Sequence, residues 1–195
     1  WVFFTLFGML PFYLSGSIDS LTNAFFETMS GFTTTGATIL DDIESLSHGM
    51  LFWRSLTQWI GGLGIVFFTI AVLPVFTSGG VQLFSAESTG VTHDRTHPKI
   101  NVMAKWLWTV YLILTLAETI LLMLGGMSLF DAVCQSFATT ATGGYSTKQA
   151  SISYWNSPFI EYVVAIFMLL SGVNFALFLM CLRGKVSRLL RDEEL

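Results

Sequence analysis

Two short stretches rich in threonine and glycine carry the residues that could do chemistry. They are Thr33-Thr34-Thr35-Gly36-Ala37-Thr38 and Ala141-Thr142-Gly143-Gly144-Tyr145-Ser146. Glycine tolerates positive φ and lets an ion approach the backbone closely, and threonine adds a hydroxyl beside its own carbonyl. Neither stretch contains a carboxylate, and neutral carbonyl dipoles suit K⁺ better than Ca²⁺, which prefers carboxylate oxygens. The two stretches therefore predict a cation filter made of backbone carbonyls.

The same pattern of elements occurs twice along the chain. A shift of 108 residues brings several identical residues into register. The pairs are Leu21/Leu129, Ala24/Ala132, Thr34/Thr142, Gly36/Gly144 and Gly64/Gly172. One such stretch alone is explained equally well as a turn between a half-helix and a loop. Two copies at matched spacing favour a repeated unit of helix, pore segment and helix.

The composition and the apolar runs predict a membrane protein. Only 11% of the 195 residues are charged and 53% are hydrophobic, with a mean hydropathy of +0.66; a soluble domain carries roughly 25% charged residues. Residues 55–76, 106–124 and 159–182 each reach the roughly 20 residues that cross a bilayer. Residues 2–14 are apolar but shorter, and we interpret them as the stump of a fourth spanning helix.

Two further apolar segments, 21–32 and 130–140, are too short to cross, since a span needs at least roughly 17 residues. We predict that both are half-helices that lead into the filter stretches. Asp19 or Ser20 is positioned to cap the first, and Ser128 the second. Each helix would then direct the partial negative charge of its C-terminal end toward a desolvated cation.

The basic residues indicate the orientation. If both half-helices dip in and return, seven of the nine Lys and Arg residues share one side, which the positive-inside rule makes cytoplasmic. They are Arg95, Lys99, Lys105, Arg183, Lys185, Arg188 and Arg191, leaving Arg54 and Lys148 outside. The outer side also holds most of the acidic residues. Each one alone is explained as a solvated loop charge, but together they would attract cations to the mouth of a pore. They are Asp19, Glu27, Asp41, Asp42, Glu44, Asp131 and Glu161.

This topology divides the chain into four parts. They are a first helix–pore–helix repeat with a truncated first helix (1–80), a cytoplasmic linker (81–104), a second repeat (105–183) and a cytoplasmic tail (184–195).

The topology predicts opposite exposure of two loops, 39–52 outside and 81–105 inside. In intact cells an impermeant thiol reagent should label a cysteine placed at Ser45 but not one placed at Ser88, because only the first loop faces outward. Labelling at Ser88 without labelling at Ser45 would reverse the orientation.

Several stretches of the sequence closely resemble one family, the Trk-type potassium uptake proteins (the TrkH/KtrB/HKT superfamily). Residues 26–38 (FETMSGFTTTGAT) and 53–64 (WRSLTQWIGGLG) resemble that family's first pore repeat. Residues 137–148 (FATTATGGYSTK) are similar to its second repeat, and 79–84 (GGVQLF) with 86–88 (AES) to the linker between them. The resemblance covers nearly the whole chain.

The resemblance implies an all-α membrane protein in which four helix–pore loop–helix repeats form a pseudo-tetrameric cation channel around one ion path. Two of the four are present here. Each repeat supplies one filter segment, so Gly36 and Gly144 are expected to be filter glycines, flanked by further ligand residues. The expected K⁺ ligands are the backbone carbonyls of Thr34, Thr35, Gly36, Thr142, Gly143 and Gly144.

The implied function is potassium uptake across the bacterial inner membrane by a multi-pass, channel-like transporter subunit. K⁺ is the transported ion, and no cofactor, enzymatic activity or nucleic-acid partner is expected. The implied partners are membrane lipid, the two remaining pore repeats, a second copy in a homodimer and a cytoplasmic nucleotide-binding regulatory subunit. Two alternatives stay open: a non-conducting membrane scaffold with relic pore loops, and a Na⁺-permeable variant. In related plant transporters a serine in place of one filter glycine accompanies Na⁺ passage, so the two intact glycines favour K⁺.

Other residues carry weaker expectations. Glu118 lies in mid-span and is assigned a structural role in preference to the ion path. Gly61, Gly62 and Gly64 are predicted to allow close helix packing, whereas Asn174 could face the path or bond to another helix. Five tryptophans near predicted helix ends are predicted interfacial anchors: Trp53, Trp59, Trp106, Trp108 and Trp155. His93 and His97 are expected in a loop without metal, and Cys134 and Cys181 unpaired.

Overall fold

The computed structural model describes residues 1–64 and 97–172, with the side chains of 97–104 excepted. Several expectations fall outside those residues. They concern most of the linker, the second half of the spans 55–76 and 159–182, the tail, His93, Asn174 and Cys181.

The described residues form helices and connecting loops, with no strand among them. The helices of the first half are α1 (Val2–Gly8), α2 (Leu10–Leu14), α3 (Leu21–Phe32) and α4, described over 48–64. Those of the second half are α5 (His97–Leu124), α6 (Leu129–Thr140) and α7 (Pro158–Gly172), with a 3-10 turn at Ser151–Trp155 before α7. The all-helical architecture agrees with the predicted fold class.

Serine caps start the two short helices. The Ser20 hydroxyl accepts from the Asn23 amide at the start of α3 (3.5 Å), and the Ser128 hydroxyl accepts from the Asp131 amide at the start of α6 (3.1 Å). Each cap satisfies an amide that has no partner inside its helix. The predicted caps and the bounds of α3 are confirmed, and α6 begins one residue earlier than predicted because Ser128 directly precedes Leu129.

The longer helices start earlier than hydropathy indicated. The helix α4 begins at residue 48, which shortens the predicted 39–52 loop and places Arg54 inside a helix. The helix α5 begins at His97, so part of the predicted linker is helical and the expectation of a loop at that histidine is wrong. At α5, polar residues such as Lys99 and Asn101 extend the helix beyond its apolar core. At α4, the predicted span began after the charge of Arg54, although the apolar residues 50–53 before it belong to the same helix.

Within the described residues, one helical segment, Lys105–Leu124, is long and apolar enough to cross a membrane, and Val2–Leu14 and Pro158–Gly172 are shorter apolar helical segments. Many large apolar side chains on these segments are exposed, as on a lipid-facing surface. The most exposed are Phe3, Phe4, Leu14, Leu116, Leu124, Tyr162 and Leu169.

Two apolar clusters hold the short helices in place. Phe12, Ile18 and Ala24 pack α2 against α3. The larger cluster joins α5, α6 and α7 and includes Val110, Leu114, Leu122, Ala132, Ile160, Val164 and Phe167. Both short helices are thereby fixed against neighbouring helices, which positions the loops that follow them.

Candidate ion-binding site

The loops after α3 and α6 share an unusual backbone conformation. The φ angles are 54° at Thr34 and 77° at Gly36, and 56° at Thr142 and 83° at Gly144. Positive φ is a genuine outlier for a β-branched residue such as threonine and costs about 1–3 kcal/mol. The same outlier at equivalent positions shows that the two loops share one conformation, in which a left-handed residue follows the C-terminal end of each short helix.

Both loops fold back onto the C-terminal end of their own helix through equivalent hydrogen bonds. In each loop, two successive backbone amides donate to carbonyls in the last turn of the preceding helix. The bonds are Thr34 N to Gly31 O (3.0 Å) and Thr35 N to Ser30 O (2.9 Å), and Thr142 N to Thr139 O (2.9 Å) and Gly143 N to Ala138 O (2.8 Å). These bonds pair carbonyls that lack partners inside the helix and hold the strained loop in place.

The two loops lie directly against each other. A Cβ atom added to Gly36 would overlap the carbonyl oxygen of Gly143 and lie 3.8 Å from the Gly144 Cα atom. Thr35, Thr142 and Gly144 are exposed, whereas Gly143 is buried behind them. The predicted residues of the two stretches therefore come together, with one edge of the pair accessible to solvent.

A buried ion pair lies behind the loops. The Arg54 Nε atom of α4 donates to the Glu27 carboxylate of α3 at 2.7 Å, with both side chains at most 2% exposed. The Thr38 hydroxyl (2.9 Å) and the Ile39 amide (3.0 Å) also donate to this carboxylate. Glu27 thus binds the chain just beyond the first filter stretch.

The second loop enters the same buried cluster. Arg54 Nη1 donates to the Ser146 carbonyl at 3.0 Å, and the guanidinium carbon lies 3.5 Å from the centre of the Tyr145 ring. The Tyr145 hydroxyl donates to the Glu27 carbonyl at 2.8 Å and lies 3.3 Å from the Ala37 carbonyl oxygen. Each filter stretch is therefore held by side chains from the other half of the chain.

This cluster corrects the sequence interpretation of two charges. Glu27 and Arg54 were expected to be solvated charges of the outer face, but they form a buried pair. Because their charges are opposite, the net formal charge of that face is unchanged without them. A carboxylate that is the one charge of a short membrane-embedded helix is the sequence signal that could have identified the pair.

Gln58 packs directly behind the second loop. Its side-chain oxygen accepts from the Tyr145 amide at 3.1 Å, and a Cβ on Gly143 would overlap the Gln58 side-chain amide group. The residue of the first loop that corresponds to Gly143 is Thr35. Because threonine has a Cβ, no side chain can pack there as Gln58 packs against Gly143.

The helix α4 approaches both loops closely. A Cβ on Gly61 would overlap the Phe32 carbonyl, and one on Gly62 would lie 3.0 Å from the Ala141 Cα atom. A Cβ on Gly64 would lie 2.8 Å from the Trp1 ring. The prediction that these glycines serve close packing is confirmed.

Aromatic contacts join α4 to the second half. Trp59 stacks on Phe137 at 5.1 Å between ring centres, and its Nε1 atom donates to the Thr115 hydroxyl at 3.1 Å. Trp53 Nε1 donates to the Gly8 carbonyl at 2.9 Å. These internal contacts leave both tryptophans half-buried, and their assignment as interfacial anchors stays a prediction, like the other three assignments.

Glu118 is fully buried in α5 and lies beside Thr139 and Thr140, near the C-terminal end of α6. Neither carboxyl oxygen makes a hydrogen bond of ordinary geometry with a described residue. Its place between α5 and α6 agrees with the structural role that the sequence favoured.

The two halves also meet beyond the loops. Lys148 Nζ lies 3.1 Å from the Glu44 carboxylate, a hydrogen bond that raises the pKa of Lys148 above its usual value. The Gln149 side-chain oxygen accepts from the Ile43 amide at 3.1 Å. The Thr147 hydroxyl donates to the Asp131 carboxylate at 2.6 Å.

Comparison with known families decides the identity of this arrangement. The model of the TrkH family, described as a cation transport protein, matches residues 1–194. The chain belongs to the TrkH family of cation transport proteins. The sequence resemblance to Trk-type proteins is thereby confirmed.

Curated TrkH-family relatives match nearly the whole chain. The "Trk system potassium uptake protein TrkH" of Escherichia coli (strain K12) is 46% identical over 187 residues, which cover 95% of this chain and 39% of that protein. The "Trk system potassium uptake protein TrkI" of Halomonas elongata is 40% identical, covering 100% of this chain and 39% of that protein. The chain spans about two fifths of the length of these TrkH-family relatives.

A solved TrkH-family structure has the same fold. The crystal structure of the potassium transporter TrkH from Vibrio parahaemolyticus superimposes with a TM-score of 0.78 at 38% sequence identity. The match covers 92% of this chain and 36% of that one.

Proposed function

We propose that the protein takes up potassium across the bacterial plasma membrane through a carbonyl-lined filter, to which this chain contributes two segments. The K⁺ ligands are the backbone carbonyls of Thr34, Thr35 and Gly36 in one segment and of Thr142, Gly143 and Gly144 in the other. The observation that carries the proposal is the repeated backbone: positive φ at threonine and glycine in both loops, at equivalent positions.

This backbone suits a desolvated cation. Alternation between left-handed and ordinary conformations turns successive carbonyls toward one side, where they can replace the hydration shell of an ion. Both loops also follow the C-terminal end of a short helix, whose partial negative charge, about half an elementary unit, favours a cation. The relatives are named potassium uptake proteins, and K⁺ fits a site built without carboxylate ligands.

The two segments are part of a larger ring. The Gly143 carbonyl packs against Gly36, whereas no described atom lies within 4 Å of the position a Cβ would take on Gly144. We place the next filter segment, from the remainder of the full-length protein, on that face of Gly144. A homodimer and a cytoplasmic nucleotide-binding subunit belong to the same proposal.

Complementation tests the function. The full-length gene should restore growth at low K⁺ to a bacterium that lacks its own potassium uptake systems, and the cells should accumulate K⁺. A non-conducting scaffold would reach the membrane at normal abundance without restoring K⁺ uptake, and a Na⁺-permeable variant would take up Na⁺ equally well.

A further inference from the structure

Two hydrogen bonds of the buried cluster behind the loops connect the two halves of the chain. Arg54 belongs to α4 in the first half and donates to the Ser146 carbonyl in the second loop. Tyr145 belongs to the second loop and donates to the Glu27 carbonyl in α3. Both bonds therefore tie the second filter segment to the scaffold of the first half.

The cluster is rigid because its members are buried and paired. Glu27 is 1% exposed, Arg54 2% and Tyr145 1%. The Glu27 carboxylate accepts from Arg54, Thr38 and Ile39, so its lone pairs are satisfied without water. Charge-assisted bonds of this kind are stronger than neutral ones and restrict the geometry of the groups they join.

The repeat does not reproduce this cluster. At the shift of 108 residues, Glu27 corresponds to Gln135 and Arg54 to Tyr162. Tyr162 is 72% exposed, and the Gln135 side-chain oxygen has no hydrogen-bond partner among the described residues. In the described residues, a charged connection of this type therefore occurs at the junction of the two segments.

We infer that Glu27, Arg54 and Tyr145 are positioning residues that fix the separation of the two filter segments and thereby favour K⁺ over Na⁺. This inference rests on the proposed function. Na⁺ is the smaller ion, so carbonyls must move inward to coordinate it as closely as they do K⁺. Glu27, Arg54 and Tyr145 form a brace that fixes the positions of the Ser146 and Ala37 backbones and resists that movement. Without this brace, the two segments can contract around Na⁺.

The mildest test removes one hydroxyl. In the full-length protein, Tyr145→Phe keeps the ring over Arg54 and loses the bond to the Glu27 carbonyl. We expect the ratio of K⁺ to Na⁺ uptake to fall about fivefold, the factor that one net hydrogen bond contributes. Tyr154→Phe makes the same chemical change in the 3-10 turn after the second loop, at a hydroxyl with no hydrogen-bond partner among the described residues, and should leave the ratio unchanged. Arg54→Lys keeps the charge, removes the guanidinium fork and should lower the ratio as well.

The ratio is measured in one population of cells, with the background of vector-only cells subtracted, so it does not depend on how many molecules fold. An unchanged ratio in both Tyr145→Phe and Arg54→Lys would overturn the inference. An equal loss of K⁺ and Na⁺ uptake would also overturn it, because a merely structural role has that effect. If the wild-type protein takes up no K⁺, the proposed function is wrong. If the wild-type protein takes up K⁺ selectively and the variants are equally selective, the proposed function stands and the role of the brace is wrong.

Discussion

Replacing Gly36 by alanine in the full-length protein is expected to abolish most K⁺ uptake. The new Cβ would overlap the Gly143 carbonyl, a proposed ligand, and this contact is with backbone that cannot rotate away. An alanine at this position is also strained, because φ is 77°. That strain costs about 1–3 kcal/mol, which alone lowers the population of the native loop conformation by about 5- to 150-fold.

The matched control for this change is Gly49→Ala. Gly49 lies in the first turn of α4 and has ordinary φ, and its added Cβ would meet only the Ser47 hydroxyl, at 4.0 Å. K⁺ uptake, corrected for the amount of protein in the membrane, is the measurement. Equal activity of the two alanine variants would show that the contact between the loops does not matter for transport.

Among the single substitutions proposed for this protein, Arg54→Met should lower the free energy of unfolding most. It keeps the volume of the side chain but leaves the Glu27 carboxylate buried without its cation, and breaking a buried pair in this way costs about 3–5 kcal/mol. The midpoint of thermal unfolding of the purified full-length protein should fall accordingly. The double variant Glu27→Gln/Arg54→Met should recover part of the loss, because no unpaired charge then stays buried.

Lys148→Met is the control for Arg54→Met. It breaks a second ion pair of the described residues, between Lys148 of the second half and Glu44 of the first, whose side chains are 22% and 41% exposed. Pairs exposed to this extent contribute about 0–1 kcal/mol. A loss in Arg54→Met no greater than that in Lys148→Met would mean that the buried cluster adds nothing to the stability of the fold.

Local sequence signals predicted the elements that form the loops. Serine before an apolar run placed the starts of α3 and α6, the length of each run excluded a full span, and threonine with glycine marked where the backbone turns left-handed. These features act within a few residues, so they can be read without knowledge of the fold. The equal spacing of the two copies paired Gly36 with Gly144, and both have positive φ in the structure.

Contacts between the halves could not be predicted in the same way. Arg54 lies near the start of an apolar run and looks like a solvated charge at a helix end, and only the fold brings it to the Ser146 carbonyl. Tyr145 replaces Ala37 at the equivalent position of the repeat, which marked it as different without showing its partner. Pairing across about a hundred residues depends on packing, and local patterns carry no information on it.

The selectivity of Gly144→Ser in the full-length protein tests the central claim most directly. Gly144 has φ of 83°, which strains any L side chain placed there, and in the full-length protein its Cβ position would face the proposed next filter segment. If the loop is a filter segment, its carbonyls then shift and the ratio of K⁺ to Na⁺ uptake falls. An unchanged ratio, with the variant present in the membrane at normal abundance, would contradict the assignment of these loops as the ion filter.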